Sequence, residues 1–353
     1  MHLIQTLTSL LQGVPRPGAI VVERRVPTTN PGAVTVVADR TTQPEQTGPL
    51  SRVRLRERGH AREDPRRLFD PRRGWFRRLE RRVNNALARR VFPRVPGLSG
   101  LYDRQLQRGL VLSETEVELA PLAPAFDRLR ILFVSDIHAG AFVSPKTLGA
   151  TFQRLLATEP DVILLGGDLV TTTLEEFVES REAFAKLRAP MGVFAVLGNH
   201  DHYTRDPDRL RHMIENVGIQ VLHNRSVALR RGDASLSLAG VDDLVAGEPN
   251  LEAALAGTHA PVLLLAHNPD LAFDAARAGV ALMLSGHTHG GQILVPGLPV
   301  LVRQSRYRLD EGRYRIGPME LLVSRGLGAS GLPVRFACPP EAVLIHLRSH
   351  APR

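Results

Sequence analysis

Residues 128–138 read RLRILFVSDIH. Four apolar residues, Ile131 to Val134, run without a break and then stop at Ser135, Asp136 and His138. A run this short and this apolar predicts a strand, and one buried on both faces. The same texture recurs in DVILLGGD (161–168), GVFAVLGNHD (192–201), PVLLLAH (261–267) and ALMLSGHTH (281–289). Helical segments are expected at 145–158, 174–187, 206–217 and around 269–278. Continuous apolar strands alternating with helices imply a sheet covered on its faces. Two hairpins are expected, at 219–242 and 311–323, with a last strand near 342–347. These later strands suggest a second, more antiparallel sheet packed on the first.

Working outward, the 353 residues and 43% hydrophobic content suffice for a sizeable core in one large domain or two ordinary ones. The single cysteine, Cys338, excludes an intramolecular disulfide and a cysteine-rich zinc site, and reads as packing. Lys146 and Lys186 are the only lysines. The net charge of +9 is unevenly spread: residues 51–100 hold 16 Arg against 5 Asp and Glu, whereas 101–353 carry a small negative balance. Residues 1–73 are expected to form a disordered, arginine-rich extension. Residues 74–125 are expected to hold a basic amphipathic helix and a linker, and 126–349 the folded domain. The helix, 75–92, has Trp75, Phe76, Leu79, Val83 and Leu87 on one arc and Arg77, Arg78, Arg81, Arg82 and Arg89 on the other. That composition suits an anionic membrane surface, and equally a helix docked on the later domain. No segment is long and apolar enough to span a bilayer, and no signal peptide is expected. The expected location is the cytoplasm, with 75–92 able to hold the chain peripherally on the inner membrane surface.

The strand ends collect one kind of chemistry. They carry Asp136 and His138, then Asp168, then Asn199, His200 and Asp201, then His267, then His287 and His289. In open α/β sheets, function gathers outside the carboxyl ends of the strands. Rings at i and i+2, such as His287 and His289, point to one side of an extended chain. Carboxylates, imidazoles and an amide oxygen, with no thiolate, suit Mn, Fe or Zn ions. There are too many donors for one ion, and one carboxylate shared between two is the natural arrangement. Singly, each block has a plainer reading; GNHD, for example, is also a good turn sequence. Jointly, they converge on a metal site.

The blocks DIH (136–138), GD (167–168), GNHD (198–201), His267 and GHTH (286–289) resemble, in order, those of the calcineurin-like metallophosphoesterase superfamily. The resemblance covers roughly 130–347. The tail LLVSRGLGASGLPVRFACPPE (321–341) is similar to a bacterial branch that includes membrane-associated phosphodiesterases. The resemblance implies an α/β fold of two packed mixed β-sheets flanked by helices, an α/β/β/α sandwich. It implies two divalent metal ions, one held by Asp136, His138 and His289 and the other by Asn199, His267 and His287, with Asp168 bridging. It implies attack by a metal-bridging hydroxide on a phosphate ester, with Asn199 and His200 touching substrate. His200 would stabilise phosphoryl charge or protonate the leaving group, and Asp201 would orient His200. Arg325 could reach a substrate phosphate, and a salt-bridged arginine fits equally well. His202, His212 and His223 match no motif position and are expected to be ordinary surface or loop residues.

The leading expectation is a phosphodiesterase or pyrophosphatase, with a phosphomonoesterase or phosphoprotein phosphatase of the same fold as the alternative. If 75–92 lies on a membrane, a lipid-linked substrate is expected. A non-catalytic scaffold is disfavoured because every motif position is filled. A nucleic-acid-binding protein acting through the arginine segment is disfavoured because 51–100 holds few aromatics and no recognisable module.

Overall fold

The computed structural model describes residues 50–61, 100–140, 142–295, 300 and 303–349. The expected helix 75–92 and most of the expected disordered extension lie outside the described residues.

Alternation along the central strands builds three layers of core. In β4 (Arg130–Val134), Leu132 and Val134 face one side, and Ile131 and Phe133 the other. β5 (Val162–Leu165) divides the same way. Successive side chains of a strand point to opposite faces, so a wholly apolar run must be covered twice. One cover is helical: α2 (Pro145–Leu156) presents Leu148, Phe152 and Leu155, and α3 (Leu174–Phe184) presents Phe177 and Phe184. The other is a second sheet, whose β10 (Val262–Leu265) and β11 (Leu282–Ser285) contribute Leu263, Leu265, Leu282 and Leu284. The outer face of that sheet, with Leu264 and Met283, packs on α5 (Leu251–Leu255) and α6 (Ala272–Arg277).

The remaining elements complete two seven-stranded mixed sheets among the described residues. The first runs β1 (Ser51–Arg54), β3 (Val111–Leu119), β14 (Glu341–Ser349), β4, β5, β6 (Val193–Ala195), β7 (Gln220–Val221). The second runs β2 (Glu57–His60), β12 (Gly312–Ile316), β13 (Met319–Val323), β11, β10, β9 (Ala234–Gly240), β8 (Arg225–Arg231). This is the expected pair of packed mixed sheets flanked by helices.

Several details differ from the sequence reading. The five motif strands do not share one sheet: β4, β5 and β6 belong to the first and β10 and β11 to the second. The second sheet is the more antiparallel of the two, as expected, with β12–β13 and β8–β9 against β14–β4 alone in the first, but β9, β10, β11 and β13 run parallel to one another. Apolarity reports burial, and both sheets are buried on both faces at their centres, so the runs look alike. The hairpin in 219–242 is β8–β9 alone, and β7 joins the other sheet. The folded domain also begins before 126. α1 (Leu101–Gly109) buries Tyr102 and Leu106, and β3 pairs with β14 over nine residues. The arginine-dense start of the extension, Ser51–His60, supplies one edge strand to each sheet. These edge strands are exposed along their length and paired through the backbone, so no apolar pattern marks them.

Candidate metal centre

The ligand-type residues sit on short, strained turns at the strand ends. Asp136 and His138 follow β4, Asp168 follows β5, and His287 and His289 follow β11. All five have positive φ, between 46° and 70°, in a conformation L-residues rarely adopt. Such outliers persist only where surrounding structure enforces them, and they cluster at functional sites. Here backbone hydrogen bonds lock the turns together: Asp136 N–H to Gly167 O at 3.0 Å, His138 N–H to Asp168 O at 3.0 Å, and Gly286 N–H to His267 O at 3.0 Å. Two glycines leave the room required. A Cβ on Gly198 would overlap the Asp168 carboxylate, and one on Gly286 would overlap Ser135 and Asp136.

The side chains converge. The ligand atoms of Asp136, His138, Asp168 and His289 all lie within 4.8 Å of one another. The Nε2 atoms of His138 and His289 are 3.1 Å apart, and His289 Nε2 is 3.5 Å from Asp136 Oδ1. Asp168 Oδ2 lies 3.6 Å from His138 Nε2 and 3.2 Å from His267 Nε2. His287 Nδ1 is 2.9 Å from Asn199 Oδ1. Asp168 therefore stands between one set of donors, Asp136, His138 and His289, and a second, Asn199, His267 and His287. All are buried.

Burial and mutual charge shape the protonation of the set. Burial lowers His138 well below the ordinary imidazole range, reinforced by His200, and lowers His289 likewise, reinforced by His138 and Arg335. Burial also takes His287 down to about 3. Neutral imidazoles keep a lone pair for a cation. Burial opposes ionisation of Asp168, yet the surrounding imidazoles, His267 first, hold it well below the carboxylate range. Burial pushes Asp136 up to about 6. His267 donates from Nδ1 to the Gly166 carbonyl at 2.8 Å, an outer contact typical of metal-ligating histidines that turns Nε2 toward the cluster.

His200 and Asp201 hold different positions from those expected of a dyad. The Asp201 carboxylate accepts from three backbone amides, Leu169 at 2.9 Å, Val170 at 3.1 Å and Gly198 at 2.9 Å. It ties the turn after β5 to the turn after β6 and does not orient His200. That task falls to the Thr171 carbonyl, 2.7 Å from His200 Nδ1. His200 Nε2 is left with only the Ser330 hydroxyl, at 3.4 Å, and the ring stands edge-on to His138 with centroids 4.6 Å apart. Arg325 is ion-paired: its Nη2 is 2.7 Å from Glu341 and its Nε 3.8 Å from Glu311. The guanidinium anchors the tail to β14.

Arg335, which the sequence reading passed over, backs the centre directly. This buried guanidinium reaches His289 at Nδ1 (3.2 Å) and at the carbonyl (3.3 Å), and also the Arg325 carbonyl (2.7 Å), the Gly328 carbonyl (2.8 Å) and the Tyr102 hydroxyl (3.1 Å). Among the described residues no carboxylate pairs with it. The available signal was a lone charge in the otherwise apolar GLPVRFAC segment. His202, expected to be an ordinary surface or loop residue, is half-buried and held by Asp242 at 2.7 Å.

Comparison with known proteins agrees with this geometry. Residues 129–291 match the family model of the calcineurin-like phosphoesterases. The chain is 31% identical to the uncharacterized metallophosphoesterase YkuE of Bacillus subtilis, over 70% of this chain and 89% of that one. It is 33% identical to the phosphodiesterase YaeI of Escherichia coli, over 62% and 82%. It is 30% identical to a transmembrane protein with metallophosphoesterase domain of Danio rerio, over 67% of this chain and 56% of that longer protein. The chain belongs to the calcineurin-like metallophosphoesterases, and its buried Asp/His cluster is its candidate metal site.

Proposed function

We propose that the chain is a two-metal hydrolase of phosphate esters, acting on a phosphodiester or pyrophosphate before a monoester. The observation that carries this reading is Asp168, whose single carboxylate faces His138 on one side and His267 on the other. The donor set fits divalent ions. The cluster-facing ring nitrogen His267 Nε2 is buried without a well-aligned hydrogen bond, and two imidazole nitrogens, His138 Nε2 and His289 Nε2, face each other at 3.1 Å. Asp136, His138, His289 and Asp168 would hold one ion, and Asn199, His267, His287 and Asp168 the other. Ions of this kind, Mn, Fe or Zn, polarise phosphoryl oxygens and acidify a bound water into the neutral range.

The chain's own residues do the rest. Seven donors include two carboxylates close to the ions, Asp136 and Asp168, so a loaded centre stays cationic and draws an anionic ester. His200, with Nδ1 fixed on the Thr171 carbonyl, offers Nε2 to hold a proton for the departing alcohol. Burial of the donors excludes water and strengthens each electrostatic contact.

The preference for diesters is supported by the likeness to a protein named phosphodiesterase. A lipid-linked substrate, and a peripheral location on the cytoplasmic side of a membrane, are supported by the sequence pattern of 75–92. Among the described residues no helix is long and apolar enough to cross a membrane. The test is metal analysis of the purified chain followed by a screen of mono- and diesters with each metal. About two ions per chain, as in two-metal sites, and faster turnover of bis(p-nitrophenyl) phosphate than of p-nitrophenyl phosphate are expected. A metal-free protein that hydrolyses neither would sink the proposal.

A further inference from the structure

His202 closes the short helix α4 (Asn199–His202). Residues three apart on a helix share a face, so His202 stands on the same side as Asn199, a member of the second donor set. Its partner comes from the other sheet. Asp242 follows β9, and the chain there is bonded to β10 through Val241 N–H to Leu265 O at 3.1 Å. β10 leads into His267, another member of the same set. The His202–Asp242 contact therefore bridges the carboxyl ends of the two sheets beside Asn199 and His267.

The contact is built rather than incidental. His202 Nε2 lies 2.7 Å from Asp242 Oδ1. The other Asp242 oxygen accepts from the Glu248 amide at 2.7 Å, and Asp242 N–H donates to Asn224 at 3.0 Å. A Cβ on Gly247 would overlap this carboxylate. His223 Nδ1 approaches the same Asp242 oxygen at 3.6 Å and is partly exposed. Asp242 is thus fully occupied, and it fixes the His202 ring. The remaining nitrogen of that ring, Nδ1, has no protein partner among the described residues, and 12% of the side chain is exposed.

We propose that His202, oriented by Asp242, is a substrate-binding residue whose Nδ1–H takes a second anionic group next to the scissile phosphate, on the flank of Asn199 and His267. The substrate class is then a phosphate ester bearing a further phosphate or carboxylate close by. A charge-assisted bond to such an oxygen is stronger than one to a neutral acceptor. The carboxylate of Asp242 favours the protonated ring, which is the form that can donate from Nδ1 while Nε2 is engaged. This inference rests on the phosphoesterase reading, which it narrows.

Calorimetric titration of the full chain in Mn2+ tests it. Methylphosphonate and phosphonoacetate serve as probes, since they differ by one carboxylate. The wild type is expected to favour phosphonoacetate by about tenfold, the scale of a hydrogen bond to a charged group. His202→Ala should abolish that preference while leaving methylphosphonate affinity close to wild type, and Asp242→Asn should lose part of it. If His202→Ala does not fold, His202→Gln is expected to lose the preference as well. A wild type without preference, or a folded His202 variant that keeps it, overturns the proposal. Hydrolysis of bis(p-nitrophenyl) phosphate by the same wild-type preparation judges the phosphoesterase reading separately. Hydrolysis without preference removes only the His202 subsite; preference without hydrolysis leaves an anion site and removes the esterase.

Discussion

Residue by residue, the centre is assembled by conformations that most side chains avoid. Asp136, His138, Asp168, His287 and His289 all occupy the left-handed region, each at a cost of order 1–3 kcal/mol. Buried turns that accept this cost have little other reason to exist than to aim donors at one point. Among the described residues, Asp168 has the one carboxylate that faces both donor sets. Asp168→Ala is expected to remove both ions, about two per chain in the wild type, as measured by plasma emission on the dialysed protein; full metal content in that variant would refute the shared role. His200 touches neither set through its free nitrogen. His200→Ala should keep the metals and lower turnover by about 10²–10⁴-fold, the range of a general acid–base group. Loss of metal instead would make His200 a ligand. Gly198→Ala, where a Cβ meets the Asp168 carboxylate, should weaken metal binding although it adds only one methyl group. Asp242 offers a pH test. Burial raises its carboxyl, but the bonds from His202 and the Glu248 amide outweigh this and hold it down to about 2 from 3.8. A carboxyl with a depressed folded pKa stabilises above its unfolded value and loses that contribution as pH falls through the folded one. Asp242→Asn should therefore lower the melting temperature at neutral pH and flatten its decline between pH 4 and 2, read by circular dichroism; an unchanged acid limb would contradict the pair's contribution.

Elements were legible where burial is symmetric and local signals are strong. The β4, β5, β10 and β11 runs announce themselves because every side chain is buried. α2 begins at Ser144, whose hydroxyl accepts from Thr147 N–H at 3.3 Å, with Pro145 at the first helical position. α3 is anchored by the buried Glu176 carboxylate, which accepts from the amides of Thr171, Thr172 and Thr173 at 3.0, 2.7 and 3.0 Å. Glu176→Ala leaves three amides without that acceptor, and a loss of about 1–3 kcal/mol is expected by urea unfolding. β1 and β2 were illegible because SRVR and ERGH pair by backbone alone, and such pairing writes no hydrophobic pattern.

For the whole molecule, the arginine segment is joined to the fold at Ser51–His60, which enters both sheets. The proposed membrane role is therefore best tested by substitution rather than deletion. Replacing Arg77, Arg78, Arg81, Arg82 and Arg89 by Gln should abolish sedimentation with anionic liposomes, each arginine near such a surface contributing on the order of 1 kcal/mol. Equal binding by both forms, or none by either at low salt, would remove the membrane reading. The sequence by itself determined the chemistry. Nine ligand-type residues end five apolar runs, and ligand types and strand ends are local properties that a chain carries in its order. Tertiary structure alone decided the rest: which sheet each run joins, that Asp201 serves backbone amides rather than His200, that Arg325 is spent on Glu341, that Arg335 backs His289, and that His202 pairs with Asp242. Those facts depend on contacts between residues tens to hundreds of positions apart, such as Arg335 with Tyr102, 233 residues away. No local pattern of residue types encodes which of several equivalent partners such a side chain will meet.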